Sequence, residues 1–302
     1  MNHLLRRLVY APLVLLVIAL ATFAMVRSAK GGPFDAERAI DPTVQAAQAK
    51  RMGFDRPLPE QFVRTMVGVA DGSLPTLSPG QTVGRVIAGK AATTALLGGC
   101  ALILAVLAGL ALALAGAARP GGWVDRLTGS AAMAAVAVPA FVIGPVLVLI
   151  FGLWLPWLPA AGWGTLAHLI LPVVALATAP AARIARLARS TLAESANADH
   201  VRTARAKGVG SWRVLAVHQL RPALVPVAAY LGTASAYLLT GSVVIEQVFQ
   251  VPGLGSEMIQ AAMNRDHNLV MALTLLFGSL IIVCNLLADV AVMAIDPRAR
   301  RA

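Results

Sequence analysis

Side chains able to carry out chemistry are sparse in this chain, and none is spaced for catalysis. Residues 84–91, GRVIAGKA, nearly spell the G-x-x-x-x-G-K-[ST] loop, whose backbone amides cradle phosphate and whose last hydroxyl holds Mg²⁺. Ala91 fills the hydroxyl position, no apolar strand precedes the stretch, and an apolar run follows at once. These residues therefore predict no nucleotide site and no ATP hydrolysis by this chain. His3, His168, His200, His218 and His267 fall at no metal-ligand spacing, and no nucleophile elbow occurs. Cys100 and Cys284 lie inside apolar runs and are expected to be small packing residues, not a disulfide framework.

The polar chemistry that remains is concentrated between two apolar runs of the C-terminal half. From Arg183 to Arg221 there are eight Lys/Arg and two Asp/Glu, a net +6. The centre, DHVRTARAKGVGSWRVLAVHQLRPALVP at residues 199–226, predicts two short helices around a glycine hinge. Ser195 or Asn197 is the expected cap of the first helix, and Gly208 the left-handed residue that ends it at Lys207. Ser211 is the expected cap of the second, which runs into Pro222 at the head of an apolar span. Gly208 and Gly210 free the backbone to reverse. Such a hairpin between two membrane spans is suited to accept force from a partner.

This hairpin resembles the cytoplasmic coupling loop of ABC-importer permeases, in the oligopeptide/dipeptide branch. Asp199, residues 201–208, His218, Leu220, Arg221, Ala223, Pro226 and Val227 match that branch at fixed spacing, with His200 where an aromatic is usual. Residues 31–38 (GGPFDAER), 55–62 (DRPLPEQF) and 251–259 (VPGLGSEMI) resemble the branch's external segments, Lys30 standing where a proline is usual. The competing explanation is an arbitrary basic loop obeying the positive-inside rule.

The chain's totals agree with a membrane location. Of 302 residues, 58% are hydrophobic and 13% charged, against roughly 25% charged in a soluble domain. The net charge of +11 is better explained by cytoplasmic flanks of apolar spans than by nucleic acid, because aromatics are only 5%. Six spans are expected. Residues 8–26 form an uncharged run long enough to cross ~30 Å of hydrocarbon, and are expected to be a retained span more than a cleaved signal. Residues 27–90 carry nine Lys/Arg and six Asp/Glu. This near balance and length allow them to lie outside. Amphipathic pieces such as residues 43–52 are candidate surface helices there.

Residues 91–118 are the second span, whose Ala and Gly permit close helix approach. Residues 119–126 form an inner loop. The third span, 127–153, is broken near Pro139 and Pro145, a packing bend in preference to a gate. Residues 154–164 carry three tryptophans and no charge, an outer interface belt. Residues 166–187 are the fourth span, its inner end marked by Arg183, Arg186 and Arg189. Residues 223–244 are the fifth, where Thr233, Ser235, Thr240 and Ser242 line a path or make interhelical contacts, alternatives the sequence leaves open. In residues 246–268, Pro252, Gly253 and Gly255 make a turn before a short outer helix and are candidate contacts for an external binding protein. Residues 268–293 are the sixth span. Its Asp289 is expected to pair with a neighbouring arginine more than to serve a proton path. The terminal arginines, in DPRARRA, are cytoplasmic.

The expected fold is thus all-α: a polytopic membrane protein of six transmembrane helices with an external segment after the first. Residues 1–26 form the N-terminal tail and first helix and 27–90 the external segment. Residues 91–302 form a five-helix core that includes the coupling loop, 189–221. The resemblance implies the type I ABC-importer permease fold and a non-catalytic subunit of an ATP-driven peptide importer. It implies a second homologous permease, two ATP-binding subunits that hold the ATP and Mg²⁺, an extracytoplasmic peptide-binding protein and a plasma-membrane location with both termini inside. It brings no cofactor to this chain and no nucleic acid. Arg202, Ala204, Lys207, Gly208, Ser211 and Trp212 would meet the ATPase. A stand-alone secondary transporter or channel is the alternative, but buried ionisable residues and an internal repeat are not evident.

Overall fold

The computed structural model describes residues 2–28, 43 and 50–295. The 31–38 motif, Lys30, the terminal arginines and most of the 43–52 candidate helix lie outside the described residues. Among the described residues the architecture is helical, with a single isolated bridge between Pro75 and Thr82. The helices are α1 (Asn2–Ser28), α2 (Leu58–Ala70), α3 (Val83–Ala118), α4 (Trp123–Ala137) and α5 (Ala140–Leu147). They continue with α6 (Leu166–Ser195), α7 (Asp199–Ala206), α8 (Leu220–Val248), α9 (Leu254–Met263) and α10 (His267–Ile295).

Five helical stretches among the described residues are long and apolar enough to cross a membrane. The pair α4 and α5, bent by 105° at its break, makes a sixth if counted as one span. The break has a local cause. Val138 precedes Pro139 and is held extended at φ −92°, ψ 121°, so α4 must stop there and Pro139 starts α5. A π-helical segment, Val148–Trp154, carries α5 on to the tryptophan loop. There the Phe151 carbonyl accepts from the Trp157 and Leu158 amides.

The core is the seam between α3 and α6. In hydrocarbon no hydrophobic force drives helices together, so close van der Waals fit must do so. On α3, Leu97, Ala101, Ala105, Gly109 and Ala113 recur every fourth residue, and all are buried. They face Ala177, Ala181, Ile184 and Ala188 of α6, which are buried in the same core. At Gly109 a Cβ would lie 2.7 Å from the Ala181 carbonyl oxygen and equally near the Ile184 side chain. The α8–α10 contact repeats the device, with Gly232 against Asn285. α1 lies along α10, and its N-terminal end is held by the Arg7–Asp289 pair at 2.6 Å. Its remaining face, including Leu13, Val17 and Leu20, is exposed.

One detail differs from the sequence expectations. α3 begins at Val83, inside the stretch assigned to the external segment, because Thr82 accepts from the Arg85 amide and starts the helix there. The GRVIAGKA stretch is consequently helix, with Gly84 packed on Gly72 and Lys90 paired with Glu257. The helix of the external segment, α2, overlaps the DRPLPEQF motif, with prolines near its start.

The seam makes a direct prediction. Gly109→Ala should lower stability by about 1–3 kcal/mol through overpacking. Gly98→Ala on the same helix, where a Cβ meets nothing within 4 Å, should stay within about 0.5 kcal/mol. Thermal midpoints of the detergent-solubilised protein, read by fluorescence-detected gel filtration, check the pair.

Candidate functional site

The basic hairpin between α6 and α8 folds on a core of its own. Val201, Ala204 and Val214 are buried together with Val209 against them. The chain leaves α7 through Lys207, passes Gly208 at φ +75°, and enters a helical turn, Ser211–Arg213. The Gly208 amide donates to the Arg205 carbonyl and the Val209 amide to that of Ala204, closing the end of α7. The predicted left-handed stop is therefore present. The predicted caps are not. Ala198 precedes α7 with no side-chain bond, while Ser195 donates instead to the Leu192 carbonyl. Gly210, in ordinary extended backbone, occupies the cap position expected of Ser211, which is the first residue of the turn.

A π-helical segment, Val214–Gln219, joins this turn to α8. Its Leu215, with Leu192 near the end of α6, belongs to the main transmembrane core. The hairpin thus hangs from both flanking spans by buried side chains. A ring nitrogen of His200 lies 3.3 Å from the His218 carbonyl oxygen and closes the hairpin across its base. Of the six residues expected to meet an ATPase, Arg202, Lys207, Gly208, Ser211 and Trp212 are exposed, whereas Ala204 is inside the small core. Trp212 is 63% exposed and borders a groove shared with Arg205, Leu192 and Pro120. A Cβ on Gly208 would meet nothing of this chain.

Above the hairpin, Arg189 of α6 holds Asp125 of α4 through two 2.8 Å bonds. The Asp125 carboxylate also accepts from the Gly121 amide, which fixes the loop between α3 and α4. A charged pair of this geometry ties α4 and the loop before it to α6.

At the opposite end of the bundle, Gly253 and Gly255 lie at the start of α9. Glu246 of α8 is fully buried; it accepts from the Thr94 hydroxyl at 2.8 Å and from the Ser256 amide at 2.9 Å. Thr94 in turn accepts from the Leu254 amide. The first amides of α9 are thereby satisfied by two side chains from α3 and α8. Gly253 and Gly255 are buried beneath this arrangement. A Cβ on Gly253 would collide with the Glu246 carboxyl group, and one on Gly255 would lie 2.5 Å from the Val243 Cα. Pro252 alone of the three turn residues is exposed. Asp266, capping α10, also accepts from the Leu77 amide and ties the external segment to this end. Burial raises the Asp266 carboxyl above its usual range, against the pull of its amide donors.

The candidate path residues divide. Thr233 and Thr240 are exposed, Ser235 is half-buried and Ser242 is fully buried. The hydroxyls of Ser235, Thr240 and Ser242 donate to their own helix's carbonyls. Tyr230, Thr233, Tyr237 and Thr240 share one face of α8 by their three- and four-residue spacing. The sequence reading missed the two tyrosines. Their rarity is the signal, since the chain has only three.

The outer cap makes a test available. Glu246→Ala leaves the Ser256 amide without its acceptor and removes the cap, a loss of about 2–4 kcal/mol. Gly253→Ala should displace the same carboxyl group and loosen α9 likewise. Limited proteolysis in membranes checks both, with faster cleavage between α8 and α10 as the expected result.

Comparison with known proteins agrees with this architecture. Residues 92–301 match the family model described as binding-protein-dependent transport system inner membrane component. The chain is 38% identical over 304 residues to the oligopeptide transport system permease protein OppB of Haemophilus influenzae, covering 99% of each chain. It is 37% identical to the OppB of Salmonella typhimurium, again over 99% of each. The dipeptide transport system permease protein DppB of Bacillus subtilis is 34% identical across 94% of this chain and 93% of its own. Among solved structures, an amino acid ABC transporter with histidines superposes with a TM-score of 0.52 at 17% identity, covering 69% of this chain and 93% of the other. That likeness concerns the fold. Helices, spans and full-length similarity together identify the chain as a multi-pass inner-membrane permease of the binding-protein-dependent transport family, of the OppB/DppB-like kind.

Proposed function

We propose that this permease is half of the passage of an ATP-driven importer of oligopeptides or dipeptides, and that its hairpin is the lever through which ATPase subunits move it. The observation that supports this most is the hairpin itself. It presents a basic, glycine-hinged outer face while Leu192 and Leu215 root it in the transmembrane core. A body that is rigid inside and free outside transmits displacement, because packed cores switch between discrete arrangements and do not deform continuously. ATP binding by the partners supplies the free energy, through different affinity for two states of the assembly.

In this reading the hairpin and both termini face the cytoplasm and α9 faces outward. A second permease of the same kind completes the passage. An external binding protein delivers peptide, and Pro252, with the Gly253–Gly255 turn behind it, lies on the side it approaches. Arg202, Lys207, Gly208, Ser211 and Trp212 meet the ATPase, and Ala204 holds the hairpin's core behind them. Peptide is the proposed cargo because curated full-length relatives are named for oligopeptide and dipeptide transport. ATP and Mg²⁺ belong to the partner subunits.

Gly208 supplies the test. Gly208→Ala adds only backbone strain, about 1–2 kcal/mol at a left-handed position, because its Cβ meets nothing in this chain. Gly208→Asp adds a charge to the face offered to the partner. Gly208→Asp should abolish peptide uptake and substrate-stimulated ATPase activity with membrane levels retained, and Gly208→Ala should reduce them less. Unchanged uptake by Gly208→Asp refutes the lever.

A further inference from the structure

A cavity of 780 Å³ opens between α3, α4, α6 and α8. Apolar residues such as Leu112, Ala132 and Val136 line it together with Arg183, Arg186, Tyr230 and the Asp125–Arg189 pair. Arg183 lies six residues before Arg189 on α6, about 9 Å further into the bilayer at 1.5 Å per residue. Arg189 is neutralised by Asp125. Among the described residues no carboxylate pairs with Arg183. The Tyr230 side chain lines the same cavity. Arg183 is exposed, and an unneutralised cation near the inner end of a span is tolerated where it faces a wet cavity. The stripe of Tyr230, Thr233, Tyr237 and Thr240 on α8 extends the same polar face along the membrane. A guanidinium fork matches a carboxylate in shape and charge.

We propose that Arg183, beside Tyr230, is a carboxylate-recognition point within the passage that takes the C-terminal carboxylate of the transported peptide. This assignment rests on the peptide-importer reading. The charge fits a peptide's free end, and the hydroxyl stripe fits the amide groups that follow it. A cavity of this volume falls in the range of small-molecule sites.

The test uses the complete permease–ATPase complex in phosphatidylcholine nanodiscs without binding protein. Retention of radiolabelled trialanine is challenged with unlabelled trialanine or with its C-terminal amide. In the wild type the amide should compete at least about tenfold less well, the discrimination expected of one charge-assisted contact. Arg183→Gln should make the two competitors equal. Arg183→Lys, which keeps the charge without the fork, should fall between them. Three results overturn the assignment: no retention by the wild type, equal competition in the wild type, or unaltered discrimination in Arg183→Gln. Loss of the second permease from the Arg183→Gln complex with discrimination intact also overturns it, showing that a partner's acid neutralises Arg183. ATP-driven uptake of trialanine by the same preparations, with binding protein added, separates the two readings. Absent wild-type uptake sinks the peptide reading, whereas uptake without carboxylate discrimination sinks only the role of Arg183.

Discussion

The close approach of α3 to α6 is the contact on which the other elements depend. Gly109 brings the α3 backbone within a Cβ's reach of the Ala181 carbonyl, and alanines every fourth residue keep the seam tight. α6 continues from this seam, through Ala188 and Leu192, into the base of the basic hairpin. Whatever displaces the hairpin therefore acts on the helix most firmly held in the molecule. The bilayer imposes this solution, because helices surrounded by hydrocarbon gain little from hiding apolar side chains and much from fitting together.

Polar side chains then fix the ends of the helices that the seam leaves free. At the hairpin end Asp125 and Arg189 bind α4 to α6. At the other rim Glu246 and Thr94 bind α8 and α3 to the start of α9, while Asp266 binds α10 to the external segment. These groups sit where a helix ends and its amides need acceptors. Among the described residues the transmembrane mid-section is by contrast almost devoid of ionic contacts.

Much of this was legible in the amino-acid order. Hydropathy marks the spans, Pro139 marks the break, and Gly208 marks the stop of the hairpin's first helix, since only a residue without a Cβ takes φ near +75° without strain. The pairing of Asp289 with an arginine also followed from its place near a span's end. Other features were illegible because they depend on distant partners. Ser195, Asn197 and Ser211 are all good caps by type, yet tertiary packing begins each helix elsewhere. Gly253 and Gly255 look like a surface turn; what determines them is Glu246, whose burial among α3, α8 and α9 no local pattern announces. The hydroxyls of α8 were judged by residue type, and the helix face separates exposed Thr233 from buried Ser242.

The central claim is that the hairpin and the inner part of α6 move together as one rigid body when nucleotide binds. Spin labels on cysteines at Arg202 and Ser190, both exposed, in a variant lacking Cys100 and Cys284, measure it directly by double electron–electron resonance in the assembled transporter. The account predicts the same narrow distance distribution with and without ATP, while a pair from Arg202 to exposed Leu287 of α10 shifts. A change in the Arg202–Ser190 distance on ATP binding would contradict it, because the hairpin would then flex on its own and leave α6 behind.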